Sequence, residues 1–327
     1  MNYLAPMIAA ALIALSPVAS ANQPFTSDPA VLAFVGEMQD KHQFDREALL
    51  ADFAQIKPNA AVLKYIQPPS SPLQRSWERY RPRFINQTRI DQGVQFWQSY
   101  EATIAKASTE YGVPQEIIVA IIGVETLYGR NTGGFSVFEA LATLAFHYPR
   151  RADFFRTELE QFLLMARENT LPPLAVKGSY AGAIGIPQFM PGSQRRYAVD
   201  FDRDGRVDLT SVDDAIGSVA RFLERHGWIP GAPVAVPANL PGEPDKAWLE
   251  AGIRPSLKVA DLSVRGVLAE AIPEETVTLV DLVTPGKATE YWLGFENFYV
   301  ITRYNRSSFY AMSVFQLAQA IKERAGR

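Results

Sequence analysis

The sequence predicts a mainly α fold of the α+β class, a helical body joined to a small β-sheet subdomain near the C-terminal end. Three observations carry this. Apolar residues recur at alternating steps of three and four from Phe96 to Leu223. Glycine and proline punctuate that stretch at helix-length intervals. Beyond Pro230 the pattern gives way to short runs rich in β-branched and aromatic residues, before one more helical stripe closes the chain.

Residues 1–21 read as a signal peptide. Leu4 to Leu15 form an apolar run of signal length, and Ala19-Ser20-Ala21 supplies small residues for cleavage after Ala21, so export is expected. No Lys or Arg precedes the run, which leaves a buried or anchoring N-terminal helix as the alternative. The run is too short to span a bilayer comfortably.

Residues 22–95 form the expected N-terminal helical region. Two helices are expected within 28–58, the first with Val31, Phe34, Val35 and Met38 on one face, the second opened by Asp45. Gln67 to Arg83 mixes prolines with Trp77 and Tyr80 and reads as an extended strap or an ordinary loop.

Residues 96–232 carry the expected helical core. One helix should run from Phe96 through Trp97, Tyr100, Ile104, Ala107 and Tyr111 to a stop at Gly112. The next, with Pro114 in its first turn, carries Ile117, Ile118, Ile121, Ile122 and Glu125 before Gly129. Two more follow, one through Phe138, Leu141, Ala145 and Tyr148, the other through Phe155, Leu159, Phe162 and Ala166, until Pro172-Pro173. Gly178 to Gly192 is too broken for a regular helix and too apolar for a solvated linker, which suits a loop lining a site. An acidic loop, Asp200 to Asp208, leads into a helix bearing Ile216, Val219, Ala220 and Leu223 that ends at Gly227.

Residues 233–305 form the small β-containing subdomain, with strands expected at Thr276–Val283, Glu290–Phe295 and Phe298–Arg303. Residues 306–327 form a C-terminal helix packing on the helical region, with Tyr310, Val314, Leu317 and Ile321 as its apolar stripe.

Composition narrows the chemistry. The 327 residues are 47% hydrophobic and 20% charged, which sets disorder and a membrane-spanning architecture aside. A net charge of −3, with no local run of Lys and Arg, gives nothing to hold a nucleic-acid backbone. The chain has no cysteine, so disulfides, thiol catalysis and lipid attachment at an N-terminal Cys are not expected. His42, His147 and His226 are widely separated, and there is no serine-hydrolase elbow, P-loop or dinucleotide fingerprint. Carboxylate chemistry remains.

Glu125 stands out within it. It follows Ile121 by four residues, Ile122 by three and Ile118 by seven, so helical geometry puts it on their apolar face. Burial and the nearby negative end of the helix both disfavour its ionised form and raise its pKa, as a general acid requires. The alternative is a structural salt bridge with Arg130, Arg150 or Arg151. Glu139 and Glu158 are rival carboxylates, each on an amphipathic helix where a solvated face is expected.

The segments IIGVETLYG (Ile121–Gly129) and AIGIPQFMP (Ala183–Pro191) resemble the lytic transglycosylases. ALATLAFHYPRRADFF, DAIGSVARFLERHGW and VITRYNRSSFYAMSVFQLAQAI extend the resemblance to the lytic murein transglycosylase B family over residues 28–327. It implies a lysozyme-like catalytic core and cleavage of the β-1,4 bond between N-acetylmuramic acid and N-acetylglucosamine in peptidoglycan glycan strands, leaving 1,6-anhydromuramic ends. Glu125 would act first as acid and then as base. A hydrolytic muramidase using the same residue and a non-catalytic peptidoglycan-binding protein are the rival readings. Lacking a lipid-bearing Cys, the chain would be a soluble, periplasmic, monomeric member of the family.

The resemblance places Gln188, Ser179 and Tyr180 in the cleft, with Tyr304, Asn305 and Tyr310 in an RYN-x-x-x-x-Y element. From the residues alone, Gln188 offers both an amide donor and an acceptor to a sugar, Ser179 equally suits loop capping, and Tyr310, on the apolar stripe of its helix, is more often a core residue. Arg150 and Arg151 are candidates for stem-peptide carboxylates, or simply solvate a helix start.

Asp200, Asp202, Asp204 and Gly205 reproduce the start of an EF-hand loop, to which Arg206 would add its backbone carbonyl. Ser211 stands where a closing Glu is usual, and Asp214 is the better closing ligand. Structural Ca2+ is therefore expected, as in the elongated EF-hand-like loop of the family, and no organic cofactor. The alternative makes Asp214 part of a Ser211-x-x-Asp214 capping arrangement.

Overall fold

The computed structural model describes residues 24–68, 75–272 and 274–327, so the signal segment expected at 1–21 and residues 69–74 of the expected strap lie outside the described residues. The chain divides into two compact units, Met1–Pro58 and Asn59–Arg327.

In the first unit, α1 (Pro29–His42) begins where the Asp28 carboxylate accepts from the Ala30 N–H, and α2 (Arg46–Ala54) where Asp45 accepts from the Ala48 N–H. Each cap satisfies a donor that the first turn leaves without a partner. Val31, Phe34, Val35 and Met38 are buried, and the Phe53 ring meets Phe25 and Phe34 at 6.0 and 6.4 Å.

The second unit starts with α3 (Ala60–Tyr65) and α4 (Trp77–Tyr80). The described end of the expected strap is helical, not extended: α4 runs into a 3-10 turn at Arg81–Arg83. Trp77, buried against Tyr80 and Phe309, supplies the packing that holds this turn. The single helix expected from Phe96 to Gly112 is likewise two, α5 (Gln87–Ser99) and α6 (Glu101–Tyr111). Tyr100, at φ −121° and ψ 29°, makes the break, and the apolar spacing continues across it because both helices bury toward one core.

The centre of the body is α7 (Gln115–Thr126), with every residue from Ile117 to Val124 buried. Pro114 is its N-cap rather than part of its first turn. Burying each isoleucine is worth about 1.5–3 kcal/mol. Gly123 is required at its place because a Cβ there would stand 2.6 Å from the Tyr128 ring. The body is completed by α8 (Val137–His147), α9 (Ala152–Glu168), α10 (Pro191–Tyr197) and α11 (Val212–Arg225). A two-stranded antiparallel ribbon joins β1 (Phe135–Ser136) to β2 (Lys177–Gly178).

The small sheet holds β3 (Ala235–Ala238), β4 (Leu257–Lys258), β5 (Thr276–Leu282) and β6 (Glu290–Gly294) in the order β3-β6-β5-β4, all antiparallel. The short helices α12 (Lys246–Glu250) and α13 (Val259–Val264) lie in its connections. Alternation along β5 binds the sheet to the body. Val277 and Leu279 face a local cluster with Leu262 and Leu293, whereas Val280 and Leu282 join the main core.

Phe298–Arg303, expected as a strand, is instead helix α14 (Glu296–Thr302). The fully buried Asn297 explains the difference: its side chain accepts from the Ile229 N–H and donates to the Ile229 and Ala232 carbonyls. That anchor, with Phe298, Val300 and Ile301 in the core, overrides the β preference of the local residues. The final helix, α15 (Ser308–Arg324), is capped by Ser307 and packs along α7 and α5.

Candidate active site

Glu125 lies on the last turn of α7, where three successive residues, Leu127, Tyr128 and Gly129, adopt left-handed conformations with φ of 53°, 61° and 83°. Left-handed backbone is costly for Leu and Tyr, and their packing must hold it. Tyr128 is fixed by donating to the Arg89 carbonyl at 2.8 Å, while the Arg89 guanidinium donates to the Gly123 carbonyl and places positive charge at the negative end of α7.

Thr126, next to Glu125, is a functional support that the sequence did not single out. Its hydroxyl donates to the Ile186 carbonyl at 2.9 Å and accepts from the Gly129 N–H at 3.0 Å. It thus pins the end of α7 to the glycine-rich loop. Among the eight other buried residues of α7 a lone threonine carries no recognisable signal.

Glu125 is half-buried as a residue, and protein crowds its carboxyl closely enough that desolvation raises its pKa from 4.5 to about 7. Tyr310 donates to Oε1 at 2.6 Å, which favours the ionised form and opposes the rise. Among the described residues no Arg or Lys pairs with it, so the alternative of a salt bridge to Arg130, Arg150 or Arg151 is not realised. Tyr310 itself is 3% exposed, and its ring stacks on Tyr304 with centroids 6.4 Å apart. Burial first, then the neighbouring Glu125, raises the pKa of both phenols.

Tyr310→Phe is expected to remove the bond favouring carboxylate and raise the Glu125 pKa by about one unit, since a hydrogen bond to a charged group is worth about 1.5–3 kcal/mol. The alkaline limb of kcat/KM should move upward accordingly. A limb left in place would refute the coupling.

The rival carboxylates are otherwise engaged, and neither lies on a freely solvated face. Glu158 is 7% exposed and accepts from the Gly192 N–H at 2.8 Å. Burial raises its pKa, while that bond and Arg196 lower it. Glu139 accepts from the Asn59 side chain at 2.6 Å.

In the glycine-rich loop, the Gln188 side chain donates to the Thr132 and Gly185 carbonyls at 3.1 and 2.8 Å, so its carbonyl oxygen is the group left to offer an incoming ligand. Gln188 has φ of 53°, and Gly185, at φ 71°, lets the loop pass against the Leu209 carbonyl, which a Cβ there would meet at 2.4 Å. The Ser179 hydroxyl accepts from the Ala181 and Ala183 N–H groups, which is loop capping. Tyr180 is exposed with its ring 5.7 Å from Tyr65. Tyr304 donates to the Pro187 carbonyl at 2.7 Å, and Asn305 is exposed at the end of α14. Arg150 and Arg151 lie in an exposed 3-10 turn, Arg151 over the Phe154 and Phe155 rings, and their described contacts do not include Glu125.

In the acidic loop, Asp200, Asp202 and Asp214 bring carboxylate oxygens within 4.8 Å of one another. Asp214 is 1% exposed and accepts from the Phe201 and Asp208 N–H groups at 2.7 and 2.8 Å. It bridges two ends of the loop instead of capping its own helix, and the Ser211 side chain makes no cap. Asp204 accepts from the Arg206 N–H at 2.8 Å. The loop also touches the active site: Ile186, bonded to Thr126, donates its N–H to the Leu209 carbonyl at 2.8 Å.

A desolvated carboxyl that accepts from a tyrosine hydroxyl can take part in acid/base chemistry, and the helical body that carries it is of the lysozyme-like class of glycan-cleaving proteins. The chain belongs to the lytic transglycosylase family, since the model described as transglycosylase SLT domain matches residues 26–319. It is 44% identical over 310 residues to membrane-bound lytic murein transglycosylase B of Escherichia coli (strain K12), covering 91% of this chain and 84% of that one. The crystal structure of the soluble lytic transglycosylase SltB1 from Pseudomonas aeruginosa matches with a TM-score of 0.85 and 47% identity, covering 91% and 100% of the two chains. The Escherichia coli lytic transglycosylase Slt35 in complex with calcium matches with a TM-score of 0.84 and 42% identity, covering 95% and 98%.

Proposed function

We propose that this chain is a peptidoglycan lytic transglycosylase in which Glu125 is the sole acid/base, the desolvated carboxyl at the end of α7 being the observation that carries the reading. Protonated Glu125 gives its proton to the glycosidic oxygen as the bond from muramic C1 to that oxygen breaks. The C6 hydroxyl of the same muramic residue then attacks C1 and returns its proton to the Glu125 carboxylate. One bond is exchanged for another within the substrate, no water is consumed, and the residue is reset. A second carboxylate would serve a hydrolase or a retaining glycosidase, which this exchange does not need.

A carboxyl of ordinary pKa 4.5 would be about 0.3% protonated at pH 7, whereas one near 7 is about half protonated. The desolvated setting therefore supplies roughly two orders of magnitude in the population of the working form. Gln188, through its free carbonyl oxygen, is assigned to an N-acetyl or hydroxyl donor of the sugar. Tyr180 and Asn305 offer exposed aromatic and amide groups to the glycan, while Ser179 and Tyr304 shape the loop that presents Gln188. Arg150 and Arg151 are assigned to stem-peptide carboxylates.

The Asp200, Asp202 and Asp214 carboxylates fit a hard, oxygen-seeking cation, and calcium is the ion this reading gives the loop, with Asp204 and the Arg206 carbonyl as further ligands. Export to the periplasm through the N-terminal segment completes the reading. Among the described residues no helix is long and apolar enough to cross a membrane.

Digestion of purified sacculi followed by mass spectrometry tests the reaction. Fragments ending in 1,6-anhydromuramic acid are expected, and fragments ending in reducing muramic acid would instead establish a hydrolytic muramidase.

A further inference from the structure

We propose that the cavity beside Tyr80 is a carboxylate-binding pocket for an acidic stem peptide of the glycan, an inference that rests on the transglycosylase reading. The cavity measures about 670 Å³ and lies between α4, β5 and the start of α15. That volume is within the usual range of ligand sites, roughly 300–1,000 Å³.

Its charge is unbalanced. Arg75, Arg79, Arg83 and Arg306 line it, and Asp281 is the one acidic residue among the lining residues. Asp281 is already matched, because Arg75 grips its two carboxylate oxygens at 3.1 Å each. Arg83 and Arg306 are exposed residues that line the same cavity, and their planar donor forks suit carboxylates. Ser307 and Ser308 add a further positive element, since they open the 17-residue α15 and bring the positive end of its dipole to the cavity.

The cavity's position selects the ligand. Tyr80 lines it and is close enough to Glu125 for that carboxylate to raise the phenol's pKa, after burial. Phe309, another lining residue, precedes the Tyr310 that bonds Glu125. The pocket therefore borders the site of bond cleavage. Alternate sugars of a peptidoglycan strand carry a peptide through the lactyl group, and those peptides bear free carboxylates. A muramic residue held near Glu125 would present such a peptide along the flank of the strand, where an arginine-lined cavity can receive it. Arg150 and Arg151 lie on a separate turn, so stem peptides of different muramic residues can be met by different arginines.

The test measures binding without turnover, in the full-length chain carrying Glu125→Gln. Affinities for a peptide-bearing and a peptide-free muramic oligosaccharide of equal length are compared by titration calorimetry at low salt. The peptide-bearing oligomer is expected to bind about tenfold more tightly, as paired charge-assisted contacts allow. Adding Arg83→Ala and Arg306→Ala should erase that preference while leaving affinity for the peptide-free oligomer unchanged, and Arg83→Lys with Arg306→Lys should keep part of it. A preference that survives the alanine variant, or one absent from the parent, overturns the proposal, as does an equal loss on both oligomers. The transglycosylase reading is decided separately, by the end groups that the unaltered protein releases from sacculi.

Discussion

Glu125→Gln is expected to lower kcat on sacculi by about a thousandfold, within the range of roughly 10²–10⁴ attributed to general acid–base catalysis. Gln keeps the shape of the protonated acid and an oxygen for the Tyr310 hydroxyl to donate to, but it can neither give nor accept the proton. The loss should appear in kcat with little change in binding. A variant retaining more than about a tenth of the activity would move the acid/base role to another residue.

The same substitution carries a stability signature with a definite sign. The folded-state pKa of Glu125 is raised, so between about 4.5 and about 7 the folded chain holds a proton that the unfolded chain has released. Stability then falls as pH rises through that window, because the cost of ionising a desolvated carboxyl appears above it. Glu125→Gln carries no such cost. Its Tm should match the unaltered protein at pH 5 and exceed it at pH 8, and Tm values that stay together across this range would mean that Glu125 is not desolvated. Activity and stability thus share one cause, since the desolvation that keeps the acid protonated also makes its ionised form costly to hold.

Much of this was legible from residue spacing. The apolar face bearing Glu125, the helices on either side and strands β5 and β6 follow from periods of 3.6 and 2 together with glycine and proline stops. What escaped was tertiary in origin. Tyr100 breaks a helix without interrupting the apolar period. Asn297 holds a β-prone run as helix through contacts with a turn about 65 residues away. By its spacing Tyr310 reads first as a core residue on α15, and only a contact across 185 residues gives its hydroxyl a purpose. Thr126 has no local signature, because its role depends on where the Ile186 carbonyl falls.

Calcium is expected to raise the Tm of the purified protein by about 5 °C when present at 100 times its dissociation constant, equivalent to about 2.7 kcal/mol of linkage stabilisation. The carboxylates of Asp200, Asp202 and Asp214 already converge, so without a cation their mutual repulsion opposes the fold of the loop. Asp214 is a poor choice for a test variant, because Asp214→Asn would turn an amide donor toward one of two backbone N–H groups that the carboxylate now satisfies. Asp202→Asn is cleaner. Asp202 is exposed and accepts from the Asp204 N–H, which an asparagine oxygen can still do. Its Tm in chelator should stay within about 2 °C of the unaltered protein, since surface changes are usually within ±0.5 kcal/mol, while the response to calcium should need at least about ten times more ion. Magnesium, which demands a tighter octahedral shell, should do little for either. Because Leu209, at the end of this loop, holds Ile186, and Ile186 holds Thr126 beside Glu125, removing the ion should also lower kcat severalfold at a temperature where the chain stays folded. A calcium-independent Tm would reject the metal site, and a calcium-dependent Tm with unchanged kcat would confine the ion to stability alone.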